Sequence, residues 1–203
     1  MRVAIWGTGQ LARMLALEGI AMGVEFSFIK TPEEDSRCVD HLGLVVEALP
    51  KLSPAQIFDL LGKPDVITTE KEGVDVAFYE QFSAHCAVCP PSKAVWITQN
   101  RLREKNFLNE QGVPTAAYAP AQTLDQIALE AQKLGFPVIV KTQENGYDGK
   151  GQAVLRDVAD AEQAWNSINH DAVIVESFIN FSRELSIIAA RSTTGEVAFY
   201  PLA

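Results

Sequence analysis

No apolar run among the 203 residues reaches the ~18 needed to cross a bilayer. The first residues, MRVAIWGTGQ, pass from a short apolar run straight into a glycine turn, without the longer apolar segment and small-residue cleavage site of a secretory signal. A cytoplasmic protein with no membrane partner is expected. Basic runs are missing too: 17 Lys and Arg stand against 26 Asp and Glu, for a net charge of −9. Such a surface repels a phosphodiester backbone, which argues against a nucleic acid partner, whereas a small anion needs only a few local basic groups and N–H donors. Cysteine and histidine are scarce, with three of each. Cys86 and Cys89 form one C-x-x-C without a second ligand pair, Cys38 is remote, and His41, His85 and His170 have no ligand spacing. No metal or redox site is expected from them. HCAVCPP reads as a short buried strand whose cysteines are small core residues.

What is present alternates. RVAIWG (2–7), VEFSFIK (24–30), LGLVVEAL (42–49), DVITTE (65–70) and CAVCPP (86–91) read as strands. Between them run amphipathic stretches from Gln10 to Met22, from the cap Ser53-Pro54 with Ile57, Leu60 and Leu61 on one face, and near 75–84. This rhythm predicts a doubly wound α/β domain on a parallel sheet. After Pro90-Pro91 it changes. Residues 92–112 read as two helices or one broken one, and Thr123 with Gln126 forms a capping box for a helix ending at Gly135. Strand (137–143), loop (144–151), strand (152–157), helix (158–168) and strand (172–179) follow, then a hairpin around Thr194-Gly195. An α+β domain is predicted beyond a boundary near 91–98. EVAFYPLA stops in what reads as a strand, an edge that would be exposed unless something pairs with it, so the chain is expected to be the amino-terminal part of a longer protein.

Two glycine motifs compete as ligand loops. GTGQLA (7–12) follows the first strand as a G-x-G-x-x-A, the pattern that brings a pyrophosphate onto a helix N-terminus. A dinucleotide site also wants an acid at the end of the second strand, where Lys30 stands. The loop remains open to three readings: a tight turn only, a nicotinamide site, or a contact with another phosphate-bearing ligand. The second motif is sharper. In PVIVKTQENGYDGKGQ (137–152), Lys141 ends a buried strand, where an ammonium needs a partner or a ligand. Gly146, Gly149 and Gly151 then make a loop whose N–H groups can approach phosphate oxygens. Glu176 follows an apolar strand, placed to accept from an adenine amine or ribose hydroxyls. Arg101 and Lys105 share a helix face and could reach phosphates. Glu70 and Glu72 sit at the carboxyl end of a parallel-type strand, where period-two geometry points both carboxylates to one side.

GTGQLARM (7–14), TTEKE (68–72), NRLREKNFLNEQGVPTA (100–116), PVIVKTQENGYDGKGQ (137–152) and VESFINFSRELSIIAAR (175–191) together resemble the 5-(carboxyamino)imidazole ribonucleotide synthase branch of the ATP-grasp ligases. The resemblance implies a pre-ATP-grasp domain at 1–97 and the amino-terminal portion of an ATP-grasp domain at 98–203, with a lid subdomain at about 114–178. It implies a ligase that uses ATP, Mg2+ and bicarbonate to carboxylate the exocyclic amine of aminoimidazole ribonucleotide through carboxyphosphate, in a homodimer. Nucleotide contacts would come from Arg101, Lys141, Gly146, Tyr147, Asp148, Gly149, Lys150, Gly151, Gln152, Glu176, Ser177, Phe178, Ile179 and Glu184. Gly9, Gln10, Leu11, Glu70 or Glu72, Tyr147 and Lys150 would face the ribonucleotide. Asp148 and Lys150 would be the catalytic pair, Asp148 handling or orienting the proton that the amine sheds. Thr8, Ala12, Asn100 and Asn145 depart from the pattern, which commonly has Gly, Gly, Asp and Gly there. The branch's magnesium carboxylates lie in a carboxyl-terminal half outside this chain, so the chain alone is expected to turn over little.

Overall fold

The computed structural model describes residues 1–144, 146, 151–168 and 172–203. Its first half is a five-stranded, wholly parallel sheet in the order β3-β2-β1-β4-β5. The strands are β1 (Arg2–Trp6), β2 (Glu25–Lys30), β3 (Gly43–Glu47), β4 (Val66–Thr69) and β5 (Ala87–Val88). Helices α1 (Gln10–Ala21), α2 (Pro54–Leu60) and α3 (Val76–Gln81) connect them. β1 reads as a continuous apolar run because both faces are covered. Ile5 and Phe28 pack with Ala12 and Ala16 of α1, while Ala4, Trp6 and Ile29 face Ile57, Leu61, Tyr79 and Phe82. Trp6 meets the rings of Phe78, Tyr79 and Phe82 edge-on at 5.7, 6.2 and 6.2 Å, the arrangement that aromatic quadrupoles favour.

The expected alternation is present, with two corrections of detail. Ser53 and Gln56 form a reciprocal capping box at the start of α2, but Leu60 is half exposed. It lies about 100° round the helix from Leu61, off the stripe that Ile57 and Leu61 bury. Only Cys86 of the C-x-x-C packs against the core. β5 is a two-residue edge strand, so Cys89 is exposed and Cys86 only half-buried, its thiol pushed up by that burial.

Residues 92–112 form two helices, α4 (Ser92–Thr98) and α5 (Arg101–Glu110), stopped at Gly112 with φ +76°. The second half is a four-stranded antiparallel sheet, β6-β9-β7-β8, made of β6 (Tyr118–Ala121), β7 (Val138–Thr142), β8 (Gln152–Leu155) and β9 (Val173–Ser177). β6 has no counterpart in the sequence reading because Pro120 breaks the strand pattern. As an edge strand it tolerates the missing N–H, with Pro120 opposite Ile174. Helices α6 (Leu124–Leu134) and α7 (Ala161–Ser167) bury Val138, Val140, Val173 and Val175 against one face. The opposite face carries Tyr118, Lys141 and Glu176. The hairpin around Gly195 is β10 (Ala189–Arg191) with β11 (Val197–Phe199), and its apolar side chains are exposed. Among the described residues no helix is long and apolar enough to cross a membrane.

One backbone contact tests the packing of β2 on β3. A methyl group on Gly43 would lie 2.1 Å from the Phe26 carbonyl oxygen, and neither strand can yield without moving the other. Gly43→Ala should destabilise the chain by about 1–3 kcal/mol, read as a lower denaturant midpoint. Gly73→Ala, where a Cβ meets nothing within 4 Å, should leave the midpoint unchanged.

Candidate nucleotide and acceptor site

Antiparallel register places Ile139 opposite Glu176, and Lys141 two residues further along the same face. The Lys141 ammonium lies 2.8 Å from Glu176 Oε2. From the other side Lys105 of α5 reaches Glu176 Oε1 at 3.4 Å. Glu176 is only 5% exposed, and a carboxylate taken out of water at that depth is tolerated because it is paired. Lys105 also lies 5.4 Å from the centre of the Tyr118 ring, the residue opposite Glu176 on β6. The Tyr118 hydroxyl donates to Asn106 at 2.7 Å and accepts from Asn109 at 3.2 Å, tying α5 to the sheet edge. Lys105, which shares a helix face with Arg101, is thus paired with the same carboxylate as Lys141.

Arg101 grips the base of the glycine loop. Its guanidinium donates to the carbonyls of Thr142 (2.8 Å) and Gly146 (2.6 Å), and its own N–H donates to Gln143 (2.8 Å). A Cβ at Gly146 would stand 2.8 Å from Arg101 Nη1 and 2.9 Å from Thr142 Oγ1, so a side chain there would have to displace the guanidinium from its present position. Gly151, with φ +70°, returns the chain to pair with Thr142. Asn100, where the resemblance expects Asp, uses both ends of its amide. The oxygen caps α5 by accepting from Leu102 and Arg103, and the nitrogen donates to Gln143 and Glu144. A carboxylate could make only the cap.

The first glycine loop is occupied by the protein itself. Glu70 Oε1 accepts from the Gly9 N–H at 2.7 Å, and Oε2 accepts from the Ala12 N–H at 2.6 Å. Its side chain crosses Gly7, where a Cβ would lie 2.3 Å from Glu70 Cγ, at φ +129°. The helix N-terminus that would hold a pyrophosphate thus holds a carboxylate. Lys30, in place of a ribose-binding acid, pairs with Glu47 at 2.8 Å, and that hydrogen bond raises its pKa. The nicotinamide reading is corrected accordingly. β4 ends at Thr69, so period two does not carry on to residues 70–72. Glu70 turns back onto α1, while Glu72 is exposed on a cleft of about 330 Å3 shared with Asp75, Gln99 and Glu144. Three carboxylates on that cleft suit amine and hydroxyl donors. Gln99 Nε2 donates to the carbonyls of Glu72 and Val74, a tie that sequence gave no sign of.

Of the remaining expected residues, Gln10 and Leu11 open α1 and are exposed, and Gln152 faces solvent opposite Lys141. Ser177 is half-buried, while Phe178, Ile179 and Glu184 are exposed. Tyr147, Asp148, Gly149, Lys150 and Asn145 lie outside the described residues. No group of three or more His, Cys, Asp or Glu among the described residues could hold a metal ion.

A parallel-sheet domain, followed by a lysine strand, a pinned glycine loop and a buried glutamate, defines a nucleotide-grasping class. Residues 1–99 match the ribonucleotide synthetase preATP-grasp domain, and residues 106–203 match the ATP-grasp domain. The chain belongs to the ATP-grasp family, in the branch with a ribonucleotide synthetase preATP-grasp domain. Within that branch it is similar to the N5-carboxyaminoimidazole ribonucleotide synthases of Pseudomonas aeruginosa, 36% identical over 100% of this chain and 55% of the relative, and of Bacillus subtilis, 33% identical over 99% and 52%. A crystal structure of the ADP complex of an N5-carboxyaminoimidazole ribonucleotide synthetase superposes with a TM-score of 0.88 at 33% identity, covering 99% of this chain and 53% of that one. The chain spans about half the length of the relatives it matches.

Glu70→Gln sets an NH2 group against one of two backbone donors. It should cost about 1–3 kcal/mol and speed hydrogen exchange at Gly9 and Ala12. Millimolar NAD+ or NADP+ should leave the melting temperature of the unaltered chain where it was.

Proposed function

We propose that this chain carries the nucleotide grip and part of the acceptor site of an N5-carboxyaminoimidazole ribonucleotide synthase. The reaction joins bicarbonate to the exocyclic amine of aminoimidazole ribonucleotide and converts ATP to ADP and phosphate. A bicarbonate oxygen attacks the γ-phosphorus, ADP leaves, and the resulting carboxyphosphate releases CO2 and phosphate. The amine then bonds to the carbon and gives up one proton. The observation that carries the reading is the convergence of Lys141, Glu176 and the Arg101-pinned loop on one face of the second sheet.

In this reading Lys141 meets phosphate oxygens, and the glycine loop lies over them with its base fixed by Arg101. Glu176 and residues 177–179 border the adenine and ribose. The acidic cleft at Glu72 receives hydroxyl and amine donors of the acceptor, and Asp148 and Lys150 of the loop serve the amine's proton and the acceptor. Carboxylates outside this chain would hold Mg2+, which would supply charge neutralisation on the ATP phosphates, and the 203-residue chain by itself turns over little. The complete protein works in the cytoplasm as a homodimer.

ADP release by the full-length protein should require bicarbonate and aminoimidazole ribonucleotide together. Lys141→Met should lower kcat/KM for ATP by about 100-fold or more, the scale set by removing one preorganised charge contact. Release of ADP with formate and glycinamide ribonucleotide instead would replace this function with a formyl-phosphate ligase.

A further inference from the structure

Glu176 has two carboxylate oxygens and a different lysine on each. Lys141 is held by Oε2 at 2.8 Å, so a phosphate that draws the ammonium toward itself competes with Glu176 for it, and full transfer means taking it from Glu176. The departure would leave a carboxylate that is 5% exposed with half of its charge compensation gone. An unpaired charge at that depth is strongly unfavourable. Lys105 remains on Oε1. Its side chain is 15% exposed, bracketed by the Tyr118 ring, and its helix is fastened to β6 through Asn106 and Asn109, so it has no alternative carboxylate among the salt bridges of the described residues.

We infer that Lys105 is a positioning residue of the nucleotide grip: it keeps Glu176 paired when Lys141 transfers to a phosphate, and so sets how readily Lys141 is released. The inference rests on the nucleotide reading of the site. It assigns the two basic residues of one helix face different tasks, with Arg101 holding the loop backbone and Lys105 holding the counter-charge. Neither touches the reacting atoms in this arrangement.

ADP affinity, measured by calorimetry with MgCl2 in the full-length protein, tests it. Lys105→Met should weaken ADP binding about tenfold or more, and Lys105→Arg, which keeps the ion pair, should stay within about threefold of the unaltered protein, the scale of one buried charge contact. In a Glu176→Gln background Lys141 is already free, so adding Lys105→Met should change ADP affinity no further. A prop that merely supports α5 would cost the same affinity with Glu or Gln at 176, and that result would overturn the inference. So would unchanged ADP binding in Lys105→Met when Lys141→Met weakens it. Loss of effect in both lysine variants would instead remove the nucleotide reading. If Lys105→Met is too unstable to purify, Lys105→Gln, which keeps a donor without the charge, is compared across the same two backgrounds with the same outcomes.

Discussion

A carboxylate buried on a sheet face is the constraint around which the second domain is arranged. Glu176 needs cations within a few ångströms, and they come from two other elements, Lys141 on β7 and Lys105 on α5. Meeting that need fixes where α5 lies on the sheet. Once α5 is placed, Arg101 at its first turn can reach the carbonyls of Thr142 and Gly146 and hold the glycine loop at its root. Charge compensation, helix placement and loop anchoring are one problem with one solution. They are also why a chain of net charge −9 can present a local cationic site.

The two glycine loops show how one sequence pattern serves opposite purposes. In GTGQLA the glycines admit a carboxylate of the protein's own: Glu70 lies across Gly7 and accepts from Gly9 and Ala12. In the later loop the glycines at 146 and 151 let backbone press onto Thr142 and Arg101, with cationic groups beside it. Close approach of backbone is the shared requirement. What occupies the space is decided by side chains distant in sequence, Glu70 in one case and Arg101 in the other.

That distance explains what sequence could reveal. Lys141 was legible because an ammonium at the end of Val138-Ile139-Val140 violates the pattern of a buried strand, and the parallel domain was legible because its strands are apolar on both faces. Glu70's partners are backbone N–H groups 58 and 61 residues earlier, which leave no mark on the sequence. β6 was hidden by Pro120, whose tolerance depends on lying at a sheet edge, and Cys89 looked buried only while its strand was taken to be longer than two residues. Lys105 was visible as a neighbour of Arg101, but its task depends on Glu176, which only the fold brings within reach.

The seam between the domains is hydrogen-bonded in both directions. Gln99, the last residue of the first domain match, and Asn100, in the short stretch before the second, are consecutive residues at the junction of α4 and α5. The Gln99 amide donates backward to the carbonyls of Glu72 and Val74, at the acidic cleft. The Asn100 amide donates forward to Gln143 and Glu144, at the root of the glycine loop. Two adjacent side chains therefore set the spacing between the segment that would face an acceptor and the loop that would cover the phosphates. The proposed reaction, which sets a reactive acyl phosphate next to an amine, would need that spacing held to within about 1 Å. A linker that is itself hydrogen-bonded to both sides provides it more directly than packing of two independent domains would.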